Sequence, residues 1–482
     1  MKSEKLLKNY IYNTLYQILV LIAPIITTPY VSRVLGVTNI GIYNYVQSIA
    51  TYFVLFGAMG TSLYGQREIA YVNDDREKRS NTFWEIVIFR IITVFLATLI
   101  YFVIFCFNRE YIGLYRILIF EIIASAIDIS WFYMGIQDFK ITVIRNSIIK
   151  VIGIILVFEL VKSKEDIPVY TVCLTVPILI GNISLWFGLK KHINVNFNDL
   201  TDRIKGISSR LKPILGFFIP QIALEVYLVL DKTMIGIFGS NIDQVGFYTQ
   251  AQKIVTIILR IVTSLGTVML PLMASIFAQG DLNKINQNIQ KSFHFTLLLS
   301  SSLLFGIDSV APTFVPFFLG EGYDLVVPLI YYISPIMIIV GISNVLGNQF
   351  LLPTKHQKEF TISIVSGACV NFTLNFILIR YFDAIGASMA TVAAEATVAL
   401  VQCYYVRKRI DLKQCFKPML KYLCFGLIMF VCVRHLSLLN TNSFFLLVFQ
   451  IVVGMIIYAI LLIISKDEII SLISNKVLNI RK

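Results

Sequence analysis

The segment Asp231–Ile254, DKTMIGIFGSNIDQVGFYTQAQKI, decides the fold, because a related segment stands much earlier in the chain. The earlier segment is Arg33–Ile49, RVLGVTNIGIYNYVQSI. Both run from an apolar stretch through a short turn with glycine into the pattern Gly-x-Tyr-x-x-x-Gln. Three residues of this pattern recur at a constant spacing of 205 positions: Gly41, Tyr43 and Gln47 return as Gly246, Tyr248 and Gln252. A repeat this long indicates a duplicated domain, since solenoid repeats are about 20–50 residues long.

The composition is that of an integral membrane protein. Of the 482 residues, 57% are hydrophobic and 14% are charged, and the mean hydropathy is +0.77. Soluble domains carry about 25% charged residues. The basic start, MKSEKLLKNY, leads into an apolar run that lacks a small-residue cleavage pattern. We therefore expect a first span that is retained, not a signal peptide.

Apolar runs bounded by polar residues, glycine or proline predict about fourteen membrane-spanning helices. We expect an all-α integral membrane protein with two six-helix lobes, related by the internal repeat, and a C-terminal helix pair. In a membrane chain, duplicated halves are typical of alternating-access transporters. The predicted spans lie near 10–31, 40–62, 83–107, 113–134, 141–161, 168–189, 214–238, 246–270, 292–311, 325–352, 358–379, 384–406, 416–436 and 443–465.

The distribution of basic residues predicts the orientation. Most lysines and arginines fall in loops on the side that holds both termini, so we expect both termini to be cytoplasmic. The net charge of +13 then reflects membrane topology, and we exclude a nucleic-acid partner. The predicted domains are the N-terminal lobe 1–190, a cytoplasmic basic linker 191–213, the C-terminal lobe 214–410, and the terminal helix pair with its cytoplasmic tail 411–482.

The sequence shows no enzyme motif, and we expect no catalytic residue, metal or cofactor. There is no G-x-x-x-x-G-K-[ST] pattern for a nucleotide. The seven cysteines form no CxxC pair. The four histidines are too far apart in sequence for a metal motif: His192, His294, His356 and His435.

Ionisable residues within predicted spans are the candidate site residues, because a charge at mid-bilayer costs at least about 2.5–3.5 kcal/mol. Lys150 lies mid-span with no carboxylate one turn away, and Lys253 and Arg260 share one face of a helix. A cavity with such cations suits phosphate or carboxylate groups. The predicted substrate cavity consists of Arg33, Arg90, Lys150, Lys232, Lys253 and Arg260.

The roles of the acidic residues have more than one interpretation. Glu85 lies five residues before Arg90 and near a span end, so local pairing or snorkelling competes with a functional role. Asp231 and Lys232 stand beside the glycine turn, where they either cap or gate the helix or contact substrate. Glu121 also falls in a span, and we assign it no role.

Several segments stand in an order that is typical of one family: Pro29–Gly36 (PYVSRVLG) with Gly41–Tyr43, Thr61–Ala70 (TSLYGQREIA), Glu85 with Arg90, and Asp231–Gly236 (DKTMIG) with Gly246–Tyr248. The chain resembles the polysaccharide flippases, which are Wzx-type exporters of lipid-linked oligosaccharides. They belong to the multidrug/oligosaccharidyl-lipid/polysaccharide exporter superfamily. The resemblance extends over the whole chain.

The resemblance implies a flippase of the bacterial cell membrane. Its substrate would be an undecaprenyl-pyrophosphate-linked, anionic oligosaccharide unit for capsule, exopolysaccharide or O-unit synthesis, moved from the cytoplasmic to the outer leaflet. It further implies contact with membrane lipids, the polymerase and glycosyltransferases of the same pathway as partners, and a proton or sodium gradient as driving force. The candidate residues for ion coupling or gating are Glu85, Asp128, Glu225 and Asp231.

Three alternatives remain open. A teichoic acid precursor flippase is the nearest variant. A cation-coupled drug antiporter of the same superfamily would favour acidic residues in the first lobe, against Arg90 and Lys150. A membrane enzyme such as a polymerase would need a sizeable outer loop, whereas Pro312–Asp324 is the longest outer loop that we predict.

Overall fold

The computed structural model describes residues 2–107, 110–194, 200–437, 443–467 and 469. The regular elements in this part of the chain are all helical. Its α-helices are α1 (Lys2–Ala58), α2 (Thr61–Tyr71), α3 (Arg76–Phe105), α4 (Ile112–Ile127), α5 (Ser130–Gly135), α6 (Phe139–Leu160), α7 (Ile167–Phe187), α8 (Leu200–Phe238), α9 (Asp243–Ala278), α10 (Leu282–Leu319), α11 (Val326–Ile333), α12 (Ile336–Leu346), α13 (Gln357–Val406), α14 (Leu412–Phe416), α15 (Met419–Leu436) and α16 (Ser443–Ile464).

The predicted all-α membrane fold is confirmed. Ten helical segments of the described chain are long and apolar enough to cross a membrane. Two of them each contain two predicted spans, because the chain turns sharply at Gly36 within α1 and at Asp383 within α13. The count of about fourteen spans stays a prediction.

The two turns have different local causes. Gly36 has φ 75° and ψ 171°, a conformation that glycine adopts without the steric cost of a Cβ atom. Asp383 has φ 49°, and its carboxylate accepts hydrogen bonds from Ser240 N at 2.6 Å and from Ser240 Oγ at 2.9 Å. In the second copy of the repeat, the break lies between α8 and α9. Both copies therefore place a turn between two long helices, as the repeat predicts.

The chain divides into two compact units, and the division falls between Gly236 and Ile237. Helix α8 begins at Leu200, inside the predicted linker 191–213, and continues to Phe238. Leu200, Ile204, Ile207 and Leu211 recur at helical spacing, which explains why this polar stretch joins the helix. The predicted domain boundaries stay predictions.

In unit 1, which ends at Gly236, helix α1 packs against α3, α4 and α6, and α7 packs against α4 and α6. One aromatic core cluster forms around Phe83, Trp131 and Phe132, with the Phe83 and Trp131 rings stacked at 5.6 Å. The predicted span 113–134 is broken between α4 and α5. At this break the Trp131 indole N–H donates to Asp128 O at 3.1 Å. This break positions the Asp128 carboxylate inside the unit.

In unit 2, α10 packs against α9, α12, α15 and α16, and α13 packs against α11 and α12. Tyr248 of the repeated motif is buried, and its hydroxyl lies 3.1 Å from Thr391 Oγ1. After α16, the Asp467 carboxylate pairs with Lys421 and accepts from the Tyr422 hydroxyl at 3.1 Å. The repeated tyrosine thus contributes to the interior of this unit.

Gly65 in α2 provides a test of this packing. A Cβ atom there would lie 2.4 Å from the Trp131 ring, so Gly65→Ala forces the aromatic cluster to shift and costs about 1–3 kcal/mol. We expect a lower melting temperature of the purified protein in detergent. Gly113→Ala is the matched control, because a Cβ there meets nothing within 4 Å. Equal melting temperatures for the two variants would contradict this packing.

Candidate functional site

A polar pocket of about 260 Å³ lies within unit 1, among helices α1, α4, α6 and α7. Tyr43 and Gln47, both from the repeated motif, line it from α1. Glu121 contributes from α4, Lys150 from α6 and Tyr170 from α7. The pocket therefore brings together a carboxylate, an ammonium group and two phenols, all from predicted spans.

Small residues and a fixed aromatic pair shape this pocket. Gly153, on α6, lies where a Cβ would be 3.6 Å from Cys173 O of α7, so the two helices approach closely. Tyr43 and Tyr170 meet edge to face with ring centroids 5.0 Å apart. These contacts fix the positions of α1, α6 and α7. The polar ends of the lining side chains border the pocket.

Glu121 accepts one hydrogen bond from the side chains that the structure describes. Gln47 Nε2 donates to Glu121 Oε1 at 3.4 Å, a long hydrogen bond. Over the described residues, the recorded ion pairs include none with this carboxylate. An intramembrane carboxylate with so little compensation is a functional candidate, because its charge is costly at this depth.

Lys150 is the predicted cation that the structure places in the pocket wall. Its side chain is exposed there, and no ion pair is recorded for its ammonium group within the described ranges. Nine other predicted site residues do not line this pocket. Their predicted roles stay predictions.

Arg90 and Asp128 belong to a separate buried network. The Arg90 side chain is 4% exposed, and it donates from Nε to Ser125 O at 2.6 Å and from Nη1 to Ser62 Oγ at 3.0 Å. The Asp128 carboxylate lies 3.9 Å from Arg90 Nη2 and 3.6 Å from Arg145 Nη2. One carboxylate is therefore shared by two guanidinium groups.

Glu85 pairs with Arg210 of α8, and not with the nearby Arg90. Arg210 also donates to the Tyr64 hydroxyl at 3.2 Å and to Thr82 Oγ1 at 3.3 Å. This set of contacts connects α2, α3 and α8. Of the competing interpretations of Glu85, the structure shows an ion pair, with Arg210 in place of Arg90, and the predicted coupling or gating role stays a prediction.

The other predicted residues are dispersed. Asp231 is 3% exposed, Lys232 and Glu225 are half-buried, and Arg33 is exposed. Lys253 and Arg260 lie on α9 in unit 2, the first half-buried and the second exposed.

Sequence reasoning missed Glu121 as a site residue. Its donor, Gln47, is 74 positions away in sequence, so no local spacing connects them. One signal was present, because Tyr43 and Gln47 are two of the three residues that the repeat matches. Following those side chains to the helix opposite would have pointed to Glu121.

Comparison with known proteins supports the class of the fold. A structure titled "Lipid II flippase MurJ, inward closed conformation" is 17% identical, with a TM-score of 0.71 over 96% of this chain and 100% of that chain. An inward-facing multidrug resistance MATE family transporter is 11% identical, with a TM-score of 0.62 over 80% of this chain and 94% of that chain. These likenesses show that the chain shares its fold with both proteins.

The sequence matches identify the family. The model of the polysaccharide biosynthesis protein family matches residues 6–277, and the chain belongs to this family. The Escherichia coli (strain K12) protein described as "Putative O-antigen transporter" is 24% identical over 414 residues, which are 83% of this chain and 96% of that protein. The resemblance drawn from the sequence motifs is confirmed.

The carboxylates of Asp128 and Glu121 should differ in their effect on stability. Asp128→Asn leaves Arg90 and Arg145 without their shared counter-charge, and breaking a buried pair costs about 3–5 kcal/mol. Glu121→Gln removes a charge for which the described part of the chain shows no ion pair, so we expect unchanged or higher stability. Thermal denaturation in detergent compares these matched changes. A Glu121→Gln variant as unstable as Asp128→Asn would contradict the assignment.

Proposed function

We propose that this chain is a flippase that moves an undecaprenyl-pyrophosphate-linked oligosaccharide unit from the cytoplasmic to the outer leaflet of the bacterial cell membrane. It would act by alternating access, with both termini cytoplasmic, in the synthesis of capsule, exopolysaccharide or O-unit. The observation that carries the proposal is Lys150 in a pocket within the predicted spans, where it forms no ion pair with the described residues. Support comes from the family and from the O-antigen transporter relative, 96% of which aligns with this chain.

Lys150 is proposed to bind the phosphate end of the substrate. An ammonium group in a low-dielectric site attracts an anion strongly, and charge-assisted hydrogen bonds to phosphate are the strong ones. The pocket, at about 260 Å³, is smaller than the usual range for drug-sized ligands, about 300–1,000 Å³. We therefore assign a phosphate-sized part of the substrate to it, and the sugars to space outside it.

Glu121 is proposed to carry the coupling cation. A carboxylate with one amide donor gains stability when a proton or a sodium ion neutralises it, because its charge is costly at this depth. Asp128 already has two cationic neighbours and is less suited to this role. The predicted roles of Glu85, Glu225 and Asp231 in coupling or gating remain part of the proposal.

Translocation in liposomes tests the function directly. Purified protein should accelerate the appearance of a short-chain lipid-pyrophosphate oligosaccharide in the opposite leaflet. Lys150→Gln should lower the initial rate about tenfold or more, since one charge-assisted contact to phosphate is lost. Lys284→Gln, a change of the same type outside the pocket, is the control and should keep the wild-type rate.

Two results would contradict this proposal. One is a wild-type rate in Lys150→Gln. The other is efflux of an organic cation by wild-type protein without movement of the lipid-linked sugar, which would favour the drug-antiporter alternative. A parallel assay with a teichoic acid precursor tests the teichoic acid flippase alternative. The translocation rates of the two substrates are compared.

Glu121→Gln tests the coupling in the same liposomes. We expect an imposed proton or sodium gradient to stimulate wild-type translocation, and the variant to lose this stimulation while it keeps the rate measured without a gradient. The physical reason is that the amide cannot bind or release the cation. Stimulation of equal size in the variant would assign the coupling to another residue.

A further inference from the structure

A second concavity, with a volume of about 810 Å³, lies on the outer face of α6 and α7 in unit 1. Ile144, Ile148 and Ile152 form its wall on α6, and they are 42%, 53% and 43% exposed. Ile180, which is 61% exposed, contributes from α7. We call this concavity the α6–α7 groove.

The floor of the groove includes a close contact between the two helices. A Cβ atom on Gly181 would lie 1.8 Å from Ile149 Cδ1, so a larger residue there would displace the Ile149 side chain. Ile149 and Pro177 line both the groove and the Lys150 pocket. The groove and the pocket therefore share a wall.

One end of the groove is polar and carries excess positive charge. Lys140, Arg145 and Asp138 line this end, and Arg145 shares the Asp128 carboxylate with Arg90. Among the charged residues that line this end, two cations stand beside one carboxylate. In the part of the chain that the structure describes, the buried Arg145 Nε has no hydrogen-bond acceptor. This end is suited to an anionic group.

The length of the groove discriminates between lipids. From Lys140 to Leu156, its wall on α6 extends about 24 Å at 1.5 Å per residue. One leaflet contributes about 15 Å of hydrocarbon, half of the bilayer core. A phospholipid chain anchored at Lys140 would end near the midplane, whereas a polyisoprenoid chain can follow the whole groove.

We propose that the α6–α7 groove binds the polyisoprenoid chain of a lipid phosphate whose head lies against Lys140 and Arg145. The inference rests on the proposed function, because it places the lipid part of that substrate beside the Lys150 pocket. Lys140 lies about 15 Å from Lys150 along α6. The groove is then where the lipid docks from the cytoplasmic leaflet, before its phosphate reaches the pocket.

Binding of undecaprenyl phosphate to purified protein in phosphatidylcholine nanodiscs tests the groove without any translocation. Ile148→Trp, which fills the groove, and Lys140→Gln, which removes the head-group cation, should each weaken binding about tenfold. Ile155→Trp is the control for bulk, since Ile155 is 54% exposed on the same helix and does not line the groove. Lys78→Gln is the control for charge. Both controls should bind like wild type.

Competition with other lipids then identifies which lipid chain the groove binds. Farnesyl phosphate and phosphatidylglycerol should displace undecaprenyl phosphate poorly, because neither fills the groove. Equal competition by phosphatidylglycerol would overturn the proposal, and so would unchanged binding in both Ile148→Trp and Lys140→Gln. Melting temperatures confirm that the variants fold.

The outcomes separate this inference from the proposed function. If wild-type protein translocates the lipid-linked unit and the groove variants bind normally, the groove assignment fails and the function stands. If the groove variants lose binding while wild-type protein translocates nothing, the groove stands and the proposed function fails.

Discussion

The cost of burying charge in a membrane-embedded unit is the constraint on which the rest of this account depends. In one place the structure offsets this cost by ion pairing, because the Asp128 carboxylate is held between Arg90 and Arg145. This network connects α3, the break after α4, and α6. It explains why ionisable residues are retained in spans where apolar residues would cost less free energy to bury. They fix the relative positions of α3, α4 and α6, and the last two of these helices also line the pocket.

The Lys150 pocket differs from that network, because its carboxylate and its ammonium group form no ion pair with any residue that the structure describes. Both groups lie within reach of the same space, and the packing of Tyr43 on Tyr170 keeps that space open. Because unpaired charges of this kind are costly in the membrane, their presence favours a functional explanation over a structural one. The shared wall of Ile149 and Pro177 then relates the pocket to the lipid-facing groove.

Much of the fold could be predicted from the sequence, because it depends on local signals. Apolar runs and their breaks predicted helices in the described parts of every expected span, and the repeat predicted the turn at Gly36. The site was harder, because its contacts join distant residues. Glu85 pairs with Arg210, 125 positions later, and Glu121 contacts Gln47 across two helices. Lys150 could be singled out from the sequence, because a lone charge within an apolar span is visible from the neighbouring residues.

The most direct test of the central claim, that unit 1 has a closed ionic network and a separate open pocket, is cysteine accessibility. Lys150→Cys and Arg90→Cys would be made in a protein whose seven native cysteines are replaced, and then treated with a water-soluble methanethiosulfonate reagent. We predict rapid modification at position 150, slowed by a lipid-pyrophosphate oligosaccharide, and negligible modification at position 90. Modification at position 90 as fast as at position 150, or none at position 150, would contradict the account.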